Sequence, residues 1–156
     1  MGAFTLFARA LIAYAVHEHQ EGHARRIDVW VHPGSFTVQD DGRGMGLDRA
    51  DYVESLVGLV VGRSGVVQLH GVGLSLIAAS TPRLAIESRR GASLWTQSFT
   101  WGIADGPPRS EPAGPQSGTR VTLATAPGAS DVDPAALLVP IDLWRAANPG
   151  LSITLH

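Results

Sequence analysis

Residues 37–46 read TVQDDGRGMG: an alternating, strand-like run that ends in two carboxylates and opens into three glycines. Alternation of this kind marks a half-buried strand. Glycines directly after it let backbone approach a ligand with no Cβ in the way. A second glycine cluster, QLHGVGLSLIAAS, begins at Gln68. Its Gly71 and Gly73 open a helix of small residues and set backbone N–H groups at a helix start, where unpaired donors and the helix dipole favour phosphate. Acids on one side and a helix start on the other describe a nucleotide pocket. GRGMG is not a P-loop, because no Gly-Lys-Ser/Thr follows, and it lacks a Rossmann strand–helix context.

Outward from this stretch, residues 9–21 carry Leu11, Ile12, Ala15 and Val16 on one broad face, which predicts a helix stopped by Gly22. RIDVWVH and SFTVQD alternate as strands, with Pro33-Gly34 as the hairpin turn between them. GLDRADYVESLVGLVV reads as a helix with Asp48 at its N-cap, VGRSGVVQ as a loop, and GVGLSLIAAS as a helix ended by Thr81-Pro82. RLAIESRRGASLWTQSFTWG predicts a hairpin turning at Arg90-Gly91, and IADGPPRSEPAGPQSG an irregular excursion. TRVTLAT is a strand, DPAALLVPIDLWRAAN a helix kinked at Pro140, and LSITLH a closing strand. Mixed helices and hairpins of this order give an α+β two-layer sandwich, a mixed sheet with helices on one face.

A chain of 156 residues is expected to form one domain over residues 1–156, with no second domain. The formal charge of −2 and the lack of a basic run offer no footprint for nucleic acid on this chain alone. Cysteine is absent, so disulfide staples and thiolate metal sites are excluded. The apolar start MGAFTLFARALIAYAV carries Arg9 and lacks a basic leader, so it reads as a structural helix rather than a signal or membrane span. The expected location is the cytoplasm.

The order of elements and the two glycine motifs resemble the ATP-binding domain of gyrase B and its relatives in the GHKL (Bergerat-type) superfamily, over nearly the whole chain. TVQDDGRGM matches the family's strand–Asp–Gly-x-Gly motif, LHGVGLSLIAAS its second glycine box, and SGTRVTL its Gly-Thr strand. The resemblance implies that Asp40 accepts a hydrogen bond from the adenine amino group, with Thr119 beside it. It also implies a ligand pocket lined by Gly42, Gly44, Met45, Gly71, Val72 and Gly73.

The same resemblance locates where this sequence departs from the family. The family keeps a Glu on its first long helix to activate water, and an Asn one turn later to hold magnesium. Aligned on GHARRIDVWV, these positions fall on Ala10 and Tyr14, and neighbouring acidic positions on Ala13 and His17. At ~100° per residue, the four share one helix face. Alanine cannot take a proton, and a neutral phenol is a poor hard ligand for magnesium. Glu18 matches the Glu that pairs, in the family, with the Arg of the glycine motif, here Arg43. The stretch between the glycine boxes is short and contains no lysine to meet a γ-phosphate.

The histidines around Glu18 do not read as a zinc site. His17 and His19 point roughly 160° apart on a helix, and the order is not H-E-x-x-H. No metal site is expected, and no cofactor is required; ATP or ADP would bind weakly. Two functions of different classes follow. One is a degenerate gyrase B-type module that holds a nucleotide or another flat organic molecule without hydrolysis. The other is a repurposed enzyme, such as an isomerase, cyclase or lyase, acting on a largely apolar, natural-product-like substrate. Tyr14, His17 and His70 would then supply acid–base groups beside Asp40. Residual ATP hydrolysis is a weaker third reading. The expected partner is a small molecule rather than a membrane, and a homo-oligomer is compatible with the sequence.

Overall fold

The computed structural model describes residues 2–44 and 74–156. Within them the chain runs α1 (Ala3–Gln20), β1 (Arg26–His32), β2 (Ser35–Asp40), α2 (Leu74–Ala79), β3 (Arg83–Arg90), β4 (Ser93–Thr100), β5 (Ile103–Ala104), β6 (Arg109–Pro112), β7 (Gly118–Ala124), α3 (Ala135–Ala147) and β8 (Ser152–Leu155). One sheet has the order β5-β4-β3-β7-β2-β1-β8, with β6 also pairing with β4. All these pairings are antiparallel except β1 with β8, so the sheet is mixed. Among the described residues, no helix is long and apolar enough to cross a membrane.

The core lies between one face of the sheet and the helices. Alternation along the strands sends Ile27 and Val29, Phe36 and Val38, Leu84 and Ile86, and Val121 and Leu123 to that face, all buried. Ala8, Leu11, Ile12, Ala15 and Val16 of α1 join the same cluster, as do Ile77 of α2 and Leu137 and Ile141 of α3. The opposite face of the sheet is polar: Asp28, Gln39, Arg120 and Glu87 lie side by side on one rung.

Three elements differ from the sequence reading. Helix α1 begins at Ala3 rather than residue 9, because nothing after Gly2 breaks it. Phe4, Phe7, Ala8 and Leu11 continue the buried stripe at helical spacing, and the two phenylalanines meet edge to face. Gly22, with φ +84°, does end it. The β3–β4 hairpin turns one residue later than Arg90-Gly91. Arg90 pairs with Ser93, and Gly91 and Ala92 both take positive φ (60° and 62°), as a two-residue primed turn demands. The proline-rich stretch after β4 is not wholly irregular: β5 and β6 both come back to pair with β4. Pro112 sits at the end of β6, where a missing N–H is tolerated.

Candidate functional site

The inward positions of β2 are Phe36, Val38 and Asp40, so the apolar series ends on a buried carboxylate. Asp40 faces Thr119 of β7, and Thr119 faces Ser88 of β3. All three are buried. The next inward rung along these strands carries Val38, Val121 and Ile86. A polar patch is thus set into an otherwise apolar floor. Sequence reading missed Ser88, although its parity with Leu84 and Ile86 points it inward.

Asp40 Oδ1 accepts hydrogen bonds from the backbone N–H of Gly42 (2.9 Å) and of Thr119 (3.4 Å). Its neighbour Asp41 turns outward, and its Oδ1 accepts from the N–H groups of Arg25 (2.8 Å) and Arg26 (2.9 Å) at the start of β1. The paired acids therefore do different work: one points into the fold, and the other fastens the strand entry. Two glycines are required by contact and conformation together. Gly44 (φ +79°) lies against the Arg89 carbonyl, and Gly118 (φ +143°) against the Asp40 carbonyl. A Cβ at either would overlap backbone that cannot move aside.

Helix α1 lays Tyr14 and Glu18 over this floor. A Cβ on Gly42 would lie 2.9 Å from both Asp40 Oδ1 and Glu18 Oε2, so that glycine lets two carboxyl groups close in on one another. Glu18 Oε1 is 3.3 Å from Arg43 Nη2. Its Oε2 is buried with no hydrogen-bond partner among the described residues. Burial is the main cause that pushes Asp40 up to about 7; the Gly42 and Thr119 N–H groups oppose it, and the charges of Glu18 and Asp41 add to it. Burial also raises the Tyr14 phenol above its ordinary range, helped by Glu18 and Asp40 against Arg43. Tyr14 is consequently a neutral hydroxyl at any physiological pH.

The Glu18–Arg43 pair is asymmetric, with side-chain exposures of 11% and 54%. Removing Arg43 leaves a buried carboxylate with neither oxygen paired. Arg43→Ala is therefore expected to lower stability by about 1–3 kcal/mol, below the cost of breaking a fully buried pair because Arg43 is half in water. Glu18→Gln, which removes the buried charge, should offset much of that loss in the double variant. Thermal melts of the three variants check both statements; an unchanged melting temperature in Arg43→Ala would make the pair unimportant.

Of the other residues singled out in the sequence, Ala10 and Ala13 are buried on the same side of α1 as Tyr14. His17 lies further along that side, its Nε2 3.4 Å from the Glu21 carboxylate. His19 turns away to within 2.6 Å of the Ala24 carbonyl. Met45, His70, Gly71, Val72 and Gly73 lie outside the described residues, as does the helix read after Asp48.

At the α1 positions where the resemblance puts the base and the magnesium ligand, the helix presents Ala10, Ala13 and a neutral phenol, none of which offers the amide or carboxylate oxygen a hard cation needs. Of the nearby carboxyl groups, Glu18 is paired with Arg43 through Oε1 and its Oε2 has no partner among the described residues, while Asp40 Oδ1 accepts from two N–H donors. Among the described residues, no three His, Asp or Glu side chains gather as a metal-binding group. The end that the resemblance assigns to adenine is different, for Asp40 and Thr119 stand together on adjacent strands, with Gly42 hydrogen-bonded to Asp40.

A mixed sheet covered on one face by helices, with a buried Asp at a strand end beneath the first helix and Gly-x-Gly after it, is the GHKL ATPase architecture. The chain belongs to the gyrase B-type ATP-binding domains of that superfamily. It is 32% identical over 123 residues to the DNA gyrase B protein of Streptomyces coelicolor, covering 70% of this chain and 18% of that protein. It is also 32% identical over 102 residues to the type 2 topoisomerase B protein of Aquifex aeolicus, covering 56% of this chain and 13% of that one. The chain thus spans less than a fifth of either relative. The crystal structure of the 43K ATPase domain of Thermus thermophilus gyrase B in complex with an aminocoumarin superposes with a TM-score of 0.79 at 25% identity, covering 97% of this chain and 42% of that one. No family model matches the chain.

Proposed function

We propose that this chain is a gyrase B-type domain that binds a flat small molecule at Asp40 without hydrolysing ATP. The observation that carries the reading is the contrast between two surfaces of one site. The floor keeps Asp40, Gly42, Gly44 and Thr119 in a fixed, hydrogen-bonded arrangement. The helix above it carries Ala10, Ala13 and Tyr14 in the positions that, by resemblance, hold the family's base and metal ligand. A nucleotide base or another planar molecule with one N–H donor would meet Asp40. Apolar substitutions along α1 favour an apolar body over a charged triphosphate. That a gyrase B domain of the same fold was crystallised with an aminocoumarin supports a planar organic ligand as readily as a nucleotide. We place the protein in the cytoplasm and require no cofactor for binding.

A second reading, acid–base catalysis on such a ligand, is favoured by one specific feature. Asp40, pushed up to about 7, lies within electrostatic reach of the neutral Tyr14 hydroxyl, and a general acid–base works best when its pKa lies near the working pH. Tyr14→Phe separates the two readings, because it removes one hydroxyl and keeps the ring. The variant should melt within about 1 kcal/mol of the parent, the net worth of a hydrogen bond. As a binding module it should lose no more than about tenfold in affinity for a planar ligand such as an aminocoumarin. As an enzyme it should lose ~10²–10⁴ in turnover. Binding of neither adenosine nor an aminocoumarin to the parent protein would overturn the proposal.

A further inference from the structure

We propose that the open face of the sheet carries a second site, for a small zwitterion bearing a carboxylate and an ammonium group, the chemistry of a free amino acid. A groove of about 610 Å³ lies there, away from the helices, lined by Trp30, Gln39, Asp41, Gln116, Ser117 and Arg120 among others. Arg120 lies over the Trp30 ring, its guanidinium carbon 5.4 Å from the centroid. Trp30 is in turn held by His156, stacked at 4.9 Å and 10°. A guanidinium held over an aromatic ring keeps N–H donors available at its edge, the fork that matches the two oxygens of a carboxylate.

No protein carboxylate occupies that edge among the described residues. Asp28 is the acid nearest in register beyond Gln39, and it is engaged by Arg26 (2.8 Å) and His156 (2.9 Å). Burial of Asp28 works against its ionisation, but hydrogen bonds from His156 and Arg26 outweigh it and hold its carboxyl below the usual range. Glu87 faces Arg120 across β3 and β7 without forming an ion pair. The complementary charge is Asp41, two residues beyond Gln39 on the same side. Its Oδ1 caps the start of β1, and its Oδ2 has no partner among the described residues. Gln39 faces Arg120 directly, and Asp41, one residue past the end of β2, lines the same groove as Arg120. Arg26 and Asp28, which also line the groove, are paired with one another; Arg120 and the Asp41 Oδ2, together with the amide and hydroxyl groups of Gln39, Gln116 and Ser117 in the same lining, match a zwitterion rather than a simple anion. Asp40 also lines the groove, so this site adjoins the Asp40 pocket at the end of β2.

Calorimetric titration of the whole chain with L-phenylalanine, its amide, 3-phenylpropionate and inorganic phosphate tests the proposal. L-phenylalanine is expected to bind at least tenfold more tightly than the amide, which lacks the carboxylate, and more tightly than 3-phenylpropionate, which lacks the ammonium. Arg120→Gln should cost tenfold or more with unchanged melting temperature, as loss of a charged hydrogen-bond pair does. Asp41→Asn, which keeps the Oδ1 cap, should weaken L-phenylalanine several-fold and leave 3-phenylpropionate unchanged. Absence of L-phenylalanine binding at tens of millimolar, or equal binding to Arg120→Gln, would overturn the site. Equal affinity for phosphate would overturn the carboxylate assignment, and insensitivity to Asp41→Asn the zwitterion.

Discussion

Purified protein given ATP and magnesium is expected to release phosphate no faster than a protein-free control. The effect is large because two losses combine. A positioned general base contributes ~10²–10⁴ to such a rate, and Ala10, buried on α1, has no atom that accepts a proton. Tyr14 stands one turn on, where the family's metal ligand is expected, with its phenol held neutral. Neither nearby carboxyl group is expected to replace the base in ATP hydrolysis, because Glu18 is held at Oε1 by Arg43 and Asp40 Oδ1 accepts from the N–H groups of Gly42 and Thr119. A phosphate-release assay with a Glu18→Ala control decides the matter. Steady release that disappears in the control would show that Glu18 is the base and that the register assigned to α1 is wrong.

Stability is expected to fall as pH rises from about 4 to about 7, and Asp40→Asn should remove most of that slope. The folded protein holds Asp40 up to about 7, against an ordinary value of 3.8. Between those limits the folded state binds more protons than the unfolded chain, so raising pH favours unfolding. The contribution from the protonated side chain is complete below about 4 and gone above about 7. Taken whole, it corresponds to roughly 4 kcal/mol, at ~1.4 kcal/mol for each tenfold change in proton affinity. Asparagine keeps an oxygen for the Gly42 and Thr119 N–H groups and carries no charge at any pH. Denaturant melts from pH 4 to 8 check the effect. Equal slopes in parent and variant would mean that Asp40 titrates as an ordinary exposed acid.

Much of this site is legible in ten residues of sequence. Alternation through TVQD sends Asp40 to the same side as Val38, and the buried carboxylate follows from that parity. Glycine at 44 follows from a chain that must take positive φ against the Arg89 carbonyl. What the sequence concealed depends on partners far along the chain. Ser88 is an ordinary strand serine until β3 pairs with β7 and brings it beside Thr119. Gly118 reads as a loop glycine until the pairing of β7 with β2 presses it on the Asp40 carbonyl. Proline obscured β6, because its strand is only four residues long and forms by pairing with β4. The early start of α1 was hidden by the small residues and aromatics of its first turns, which carry no capping signal.

Base recognition at Asp40 should persist in this chain while the metal-dependent end of the pocket does not. Saturation-transfer NMR of ATP with the intact chain, in magnesium and again in EDTA, separates the two ends. Transfer onto the adenine protons is expected to be equal in the two conditions and lost in Asp40→Asn, with no phosphate released over the experiment. A tenfold or greater tightening of ATP in magnesium, with transfer onto adenine unaffected by Asp40→Asn, would show the reverse: a working metal site and no role for Asp40.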